Sequence, residues 1–352
     1  MGAEAAVVVG DCRRVLPGFA EGTFDAVATD PPYEFGFMGA AWDRTGVAFD
    51  PATWAAVLRV LKPGGYMVAM GGTRTFHRLT VAVEDAGFEI RDCLAWLYGS
   101  GFPKGKGCLK PAWEPIILAR KPGPKVLSLG VDECRVPTDG RPRRDKVWND
   151  TNTGIYGSGR NTTLAVGDTT LGRYPANVVH DGSDEVLEVF AAFGPTSTTG
   201  KRSERSRDAA VEGTAWGTNN HKSREFANEP PGTAARFYYC AKASRRERGE
   251  GNAHPTVKPV GLMRWLVKLV CPPGGRVLDP FGGSGTTGVA AKLAGRAATL
   301  IEQDATHART AARRMDATPW NEDAGEWHEP DFGEPAPPLW HWPDLQSYSG
   351  AR

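Results

Sequence analysis

The chain has 352 residues, 40% of them hydrophobic, and a formal net charge of +1. That size suits one large α/β domain with an insertion, or two domains, and the composition is that of a globular protein. It excludes a membrane span, because no apolar run approaches ~20 residues. The start Met1-Gly2-Ala3-Glu4 lacks the basic region and long apolar core of a secretory signal. The cysteines Cys12, Cys93, Cys108, Cys134, Cys240 and Cys271 form no Cys-x-x-Cys pair. Scattered thiols of this kind point to a reduced, cytoplasmic protein without a disulfide frame or a metal site. Residues 317–352 hold seven acids and one Arg, which leaves +7 on residues 1–316. A mildly basic body with an acidic tail is compatible with a polyanionic partner.

Ala5–Val9 and Phe24–Thr29 read as short apolar strands. Pro51–Leu61 predicts an amphipathic helix with Trp54, Val57, Leu58 and Leu61 on one face, started by Pro51 and stopped at Lys62-Pro63-Gly64-Gly65. A strand at Tyr66–Met70, a helix at Phe76–Ala86 closed by Gly87, and strands at Ile90–Tyr98 and Pro115–Ala119 follow. Residues 122–236 break this rhythm, being rich in Gly, Pro, Thr, Ser, Asn and Arg. Within them Tyr174–His180 reads as a strand and Ser183–Phe193 as a helix. The stretch reads as a loop-rich insertion, ordered by a partner or by packing on the main domain. Regular structure returns with a helix at Val260–Val270, a strand at Arg276–Leu278, a helix at Thr286–Leu293, a strand at Ala297–Ile301 and a helix at Thr306–Met315. Strands alternating with helices predict a mainly parallel, doubly wound sheet. The tail from residue 317 is acidic, Pro-rich and expected to be irregular, though its four Trp suggest that part of it docks.

Two motifs carry chemistry. Asp30-Pro31-Pro32-Tyr33 ends the second strand, at the sheet edge where open α/β sheets bind ligands. It offers a carboxylate, the Pro31 carbonyl, a loop stiffened by Pro32 and the flat face of Tyr33, a set suited to a planar amine. Much later, Asp279 ends a strand and Phe281, Gly282, Gly283, Ser284, Gly285 and Thr286 lead into a helix. Glycines there allow close backbone approach to a ligand, and the helix start offers free N–H groups. Glu302 ends the next strand, roughly 20 residues on, placed to accept the hydroxyls of a ribose. No Gly-Lys-Ser/Thr ending follows, which disfavours nucleoside triphosphates. His77, His180 and His221 show no metal spacing.

These motifs, in this order, resemble the circularly permuted beta group of amino-group DNA methyltransferases that use S-adenosylmethionine. Gly10-Asp11-Cys12, the turn Leu61-Lys62-Pro63-Gly64-Gly65 and His254-Pro255-Thr256-Val257-Lys258-Pro259 match further family segments. The resemblance covers about residues 1–121 and 237–316, with Gly283 standing where many relatives have Ala. It implies a Rossmann-like α/β methyltransferase fold, doubly wound and permuted: a catalytic half over 1–121, an inserted target-recognition region over 122–236, a cofactor-binding half over 237–316 and the tail over 317–352. It implies catalysis by Asp30, Pro31, Pro32 and Tyr33. It implies cofactor binding by Asp11 (on the adenine), Thr256, Lys258, Asp279, Phe281, Gly282, Gly283, Ser284, Gly285, Thr286 and Glu302. Double-stranded DNA is the implied partner of a monomer or homodimer. Arg141, Arg143, Arg144, Lys201, Arg202 and Arg205 in the insertion suit phosphates and base edges.

The implied reaction is methyl transfer to the exocyclic amine of a flipped-out base, adenine-N6 favoured by Asp30 because the family commonly carries Ser there for cytosine-N4. Cytosine-N4 is the nearest alternative. A protein that retains the cofactor and binds DNA without turnover is another. A methyltransferase for RNA or protein glutamine is a third, set against by Asp30 where those enzymes usually carry Asn.

Overall fold

Alternating apolar runs and amphipathic helices pair here into one twisted sheet with helices on both faces. The structure is a computed structural model that describes residues 5–36, 41–101, 107–124, 127–137, 144–146, 164–166, 172–192, 235, 238–240, 257–320 and 340–341. In chain order the elements are β1 (Ala5–Val9), α1 (Cys12–Val15), β2 (Phe24–Thr29), α2 (Pro51–Val60), β3 (Leu61–Met70), α3 (Phe76–Asp85), β4 (Glu89–Leu97) and β5 (Trp113–Arg120). Then come β6 (Arg144–Lys146), β7 (Leu164–Val166), β8 (Val178–His180), α4 (Asp184–Ala191) and β9 (Tyr239–Cys240). The chain continues through α5 (Val260–Val270), β10 (Arg276–Asp279), α6 (Thr286–Leu293), β11 (Ala297–Glu302), α7 (Ala305–Ala317) and β12 (Trp340–His341). Among the described residues, no helix is long and apolar enough to cross a membrane.

Ten strands form one sheet in the order β12-β1-β11-β10-β2-β3-β5-β4-β8-β9, and β6 pairs with β7 separately. Within the ten-stranded sheet of the described residues, only β5 runs against its neighbours, β3 and β4. From β10 the chain winds outward through β11, and from β2 it winds the other way through β3. Strands β10 and β2, far apart in the chain, are therefore parallel neighbours at the point where the winding reverses, with Leu278 beside Val27. Such a switch point opens a crevice at the carboxyl ends of the strands.

Side chains alternate across the sheet. On β2, Ala26 and Ala28 face a core filled by α5, α6 and α7, with Leu262, Leu266, Val289 and Ala311. Val27 faces the opposite core with Trp54, Val57 and Val60 of α2 and Leu79 and Val83 of α3. Trp54 is fully buried and donates its indole N–H to the Ala48 carbonyl at 2.9 Å. Its removal costs about 3–5 kcal/mol by the usual measure of large core truncations.

Helix α2 starts as expected, with Asp50 accepting from the Ala52 N–H and Pro51 in the first turn. Its expected last residue, Leu61, instead begins β3, where it pairs with Phe24 of β2. The register then jumps so that Tyr66 pairs with Ala26, and Lys62–Gly65 bulge out between. The bulge is held by Gly64 N–H on the Lys121 carbonyl and Lys121 N–H on the Gly65 carbonyl. The strand expected at Tyr174–His180 is regular only over Val178–His180. Part of the loop-rich stretch packs on the main sheet. Strand β8 pairs with β4, and Glu133 grips the fully buried Arg296 at 2.7 Å. The tail expected to be irregular contributes β12, which pairs with the exposed edge of β1. Helix α1, not anticipated, is four residues long and capped by Asp11.

Candidate active site

The switch point brings the proline loop after β2 and the glycine loop after β10 to opposite walls of one cleft of about 1570 Å³. The proline loop is held open by neighbours. Glu34 adopts a left-handed φ of 57°, a conformation uncommon for a residue with a side chain. Asp43 stabilises it by accepting from the N–H groups of Glu34 and Phe35 at 2.8 and 3.1 Å. Thr75 donates its hydroxyl to the Tyr33 carbonyl at 2.8 Å. Gly72 lets the rings in. A Cβ there would stand 2.2 Å from Phe35 Cζ and 3.1 Å from Tyr33 Cδ2.

Asp30 carries the chemical asymmetry of this wall. Its Oδ2 accepts from Lys258 Nζ at 2.6 Å. Its Oδ1 is buried and has no hydrogen-bond partner among the described residues. A buried acceptor left unpaired costs ~1–3 kcal/mol unless something fills it. Tyr33 donates its hydroxyl to Glu114 Oε2 at 2.9 Å, and Lys258 Nζ lies 3.6 Å from the same oxygen. Burial, then the Asp30 and Glu114 carboxylates, pushes the Tyr33 phenol well above its usual range, so it stays a neutral donor. Burial works against the Lys258 ammonium, but Asp30 and Glu114 outweigh it and raise the group to about 12.

The opposite wall is organised by Asp279. Its Oδ1 accepts from Thr29 Oγ1 at 2.7 Å and from the Phe281 N–H at 3.0 Å, and its Oδ2 from Thr287 Oγ1 at 2.6 Å. Burial pushes this carboxyl up to about 6, although the threonine hydroxyls and the Phe281 N–H work the other way. Gly285, at φ 87°, caps α6 and presses on α7, where a Cβ would meet Ala311 at 2.7 Å. The fully buried Arg314 donates to the Ser284 carbonyl at 2.7 Å and to Thr286 Oγ1 at 3.1 Å, bracing the loop from behind. Glu302 accepts from the N–H of Gly283 and of Asp304, each at 2.8 Å. Burial raises its carboxyl despite those two bonds. Phe281 packs near Trp54, ring centroids 6.2 Å apart. At the rim Asp11 caps α1, and the hydrogen-bonded Arg13 guanidinium holds its carboxyl below the usual range.

Asp11, Asp30, Pro31, Pro32, Tyr33, Lys258, Asp279, Phe281, Gly282, Gly283, Ser284, Thr286 and Glu302 all line this cleft. Gly285 sits just behind it. Lys258, expected to hold the cofactor, has its ammonium on Asp30. Thr256, Arg141, Arg143, Lys201, Arg202 and Arg205 lie outside the described residues, as does His221; of Arg144 only the backbone, in β6, is described. Sequence reading missed Glu114, Asp43, Thr75 and Arg314. Glu114 alone had a signal: a carboxylate near the start of an apolar strand, as Asp30 follows the end of one.

The family model of N6 and N4 DNA methylases matches residues 24–313. The type II methyltransferase M.HpaI of Haemophilus parainfluenzae is 22% identical over 317 residues, which cover 88% of this chain and 74% of that protein. The solved cytosine-N4-specific PvuII DNA methyltransferase aligns at 16% identity and a TM-score of 0.49, over 89% of this chain and 86% of that one. The solved M1.HpyAVI–SAM complex aligns at 18% identity and a TM-score of 0.47, over 89% and 99%. The family match begins at the first residue of β2, spans both loops of the cleft and ends within α7, and on that ground the chain belongs to the N6/N4 DNA methylase family.

Proposed function

We propose that this chain methylates adenine-N6 in double-stranded DNA, with S-adenosylmethionine as donor. The observation that carries the reading is the buried Oδ1 of Asp30 in the wall of the cleft, without a partner among the described residues. An exocyclic base amine is a poor nucleophile because its lone pair is delocalised into the ring. Hydrogen bonds from the amine to Asp30 Oδ1 and to the Pro31 carbonyl localise that pair toward the incoming methyl group. Asp30 then receives the proton that the amine loses. Tyr33 presents a ring for the flipped base to stack on, worth about 1–3 kcal/mol per base. That offsets a flipping cost of a few kcal/mol.

The residues of the opposite wall fit the donor. Glu302 retains lone pairs beyond its two backbone bonds, and so accepts ribose hydroxyls. The glycine loop brings bare backbone to the cleft, Phe281 offers a ring, and Asp11 lines the cleft as a candidate acceptor for the adenine amine. When bound there, the donor supplies a methyl group already activated by a positive sulfur. The protein's own contribution is position and electrostatics.

The chain order, catalytic loop before cofactor loop, fits a permuted member of the family. The stretch 122–236, which carries Arg141, Arg143, Arg144, Lys201, Arg202 and Arg205, is our candidate for target recognition. The deciding experiment incubates the protein with S-adenosylmethionine and unmethylated duplex DNA, digests the DNA to nucleosides and separates them by mass. We expect N6-methyldeoxyadenosine. A product confined to N4-methyldeoxycytidine overturns the base assignment and leaves the reaction class intact. Absence of any methylated nucleoside favours a DNA-binding protein without turnover.

A further inference from the structure

We propose that Glu114 is a positioning residue that draws the Lys258 ammonium off Asp30 when the target amine docks. Three groups meet on one wall of the cleft. Lys258 Nζ is 2.6 Å from Asp30 Oδ2 and 3.6 Å from Glu114 Oε2, so one cation lies between two carboxylates. It also stands 5.2 Å from the centre of the Tyr33 ring, whose hydroxyl Glu114 holds at 2.9 Å. Glu114 is the second residue of β5, the antiparallel strand, and belongs to neither loop motif.

The arrangement has a consequence for substrate entry. This inference rests on Asp30 being the acceptor for the target amine. The amine docks on Oδ1 while Lys258 holds Oδ2. A cation that close favours the charged carboxylate and so makes Asp30 a weaker acceptor for the amine's proton. A lysine with no second anion stays where it is. Here a shift of about 1 Å along a flexible four-carbon stem converts the Glu114 ion pair into a full charge-assisted hydrogen bond. The cation then keeps an anionic partner throughout, and Asp30 regains the basicity it needs to take up the amine's proton. Glu114 acts through Lys258 and Tyr33 and does not itself touch the reacting atoms.

The test compares wild type with Glu114→Gln, Lys258→Met and the double variant by steady-state kinetics on duplex DNA, with calorimetry for S-adenosylmethionine and thermal melting for the fold. Glutamine keeps an acceptor for the Tyr33 hydroxyl and removes the charge. Glu114→Gln is expected to lower kcat by about tenfold or more while cofactor affinity stays within about twofold. Lys258→Met leaves two carboxylates facing each other without a cation, and adding Glu114→Gln removes that repulsion. The double variant is therefore expected to exceed Lys258→Met in activity, a coupling that separate structural roles do not produce. A double variant no better than Lys258→Met, or a Glu114→Gln enzyme with wild-type kcat, overturns the proposal. If Lys258→Met does not fold, Tyr33→Phe replaces it. Loss of the hydroxyl alone is expected to be milder than Glu114→Gln, and an equal or greater loss overturns the assignment to Lys258. Activity surviving in Asp30→Ala removes the underlying reading of Asp30, a failure separate from any of these.

Discussion

The Thr29 hydroxyl donates to the Asp279 carboxylate at 2.7 Å, joining residues 250 positions apart in the chain. Thr29 is the last residue of β2 and the neighbour of Asp30; Asp279 is the last of β10 and leads into the glycine loop. One buried bond thus locks the two walls of the cleft in register. Because β2 and β10 are parallel, their carboxyl ends lie side by side, and the bond spans the switch point itself.

Asp279 makes this junction sensitive to pH. Burial raises its folded carboxyl to about 6 from an ordinary 3.8. A raised folded value means that protonation favours the fold. The associated stability is fully present below the ordinary value and is lost as pH rises through about 6. Relative to Asp279→Asn, wild type should lose up to about 3 kcal/mol of stability between about pH 4 and pH 7. Denaturant midpoints across that window measure it, and a constant difference between the two proteins contradicts it.

Asp30→Ala should abolish methyl transfer and leave S-adenosylmethionine affinity within about threefold, because the cofactor residues stand on the other wall. A hydrogen bond to a charged group in the transition state is worth several kcal/mol. A variant retaining about a tenth of the wild-type rate is incompatible with the proposed role.

Glu302→Ala should weaken S-adenosylmethionine binding by about 1.5–3 kcal/mol and slow the saturated enzyme much less. Part of the loss comes through Gly283, whose N–H donates to Glu302. Isothermal calorimetry reads the effect directly. Unchanged affinity recasts Glu302 as a brace for the glycine loop alone.

Replacing Arg143 and Arg144 together by Ala should weaken duplex binding and flatten its dependence on salt. The slope should fall by about 0.9 for each phosphate that the two side chains neutralise in the wild type. Binding titrations at several ionic strengths test it. If affinity and slope are both unchanged, this pair does not meet DNA.

The sequence by itself determined the alternation of strands and helices, the helix start at Pro51, the turn at Gly87 and both loop motifs. These signals are local: apolar spacing, proline's missing N–H and glycine's freedom act within a few residues. It also placed Asp30 and Glu302 at strand ends, because a carboxylate closing an apolar run lies at the sheet edge. Only the tertiary structure decided that Leu61 belongs to β3, since the strand's bulge depends on Phe24 and Lys121. The same holds for β12, which needs the open edge of β1. It holds most for the electrostatics of the cleft. Lys258 reaches Asp30 across 228 residues, and Arg314 reaches Ser284 across 30. Bonds of that kind leave no periodicity in the chain. They exist because the fold packs distant segments around one edge of the sheet, where buried charges are stable only when paired.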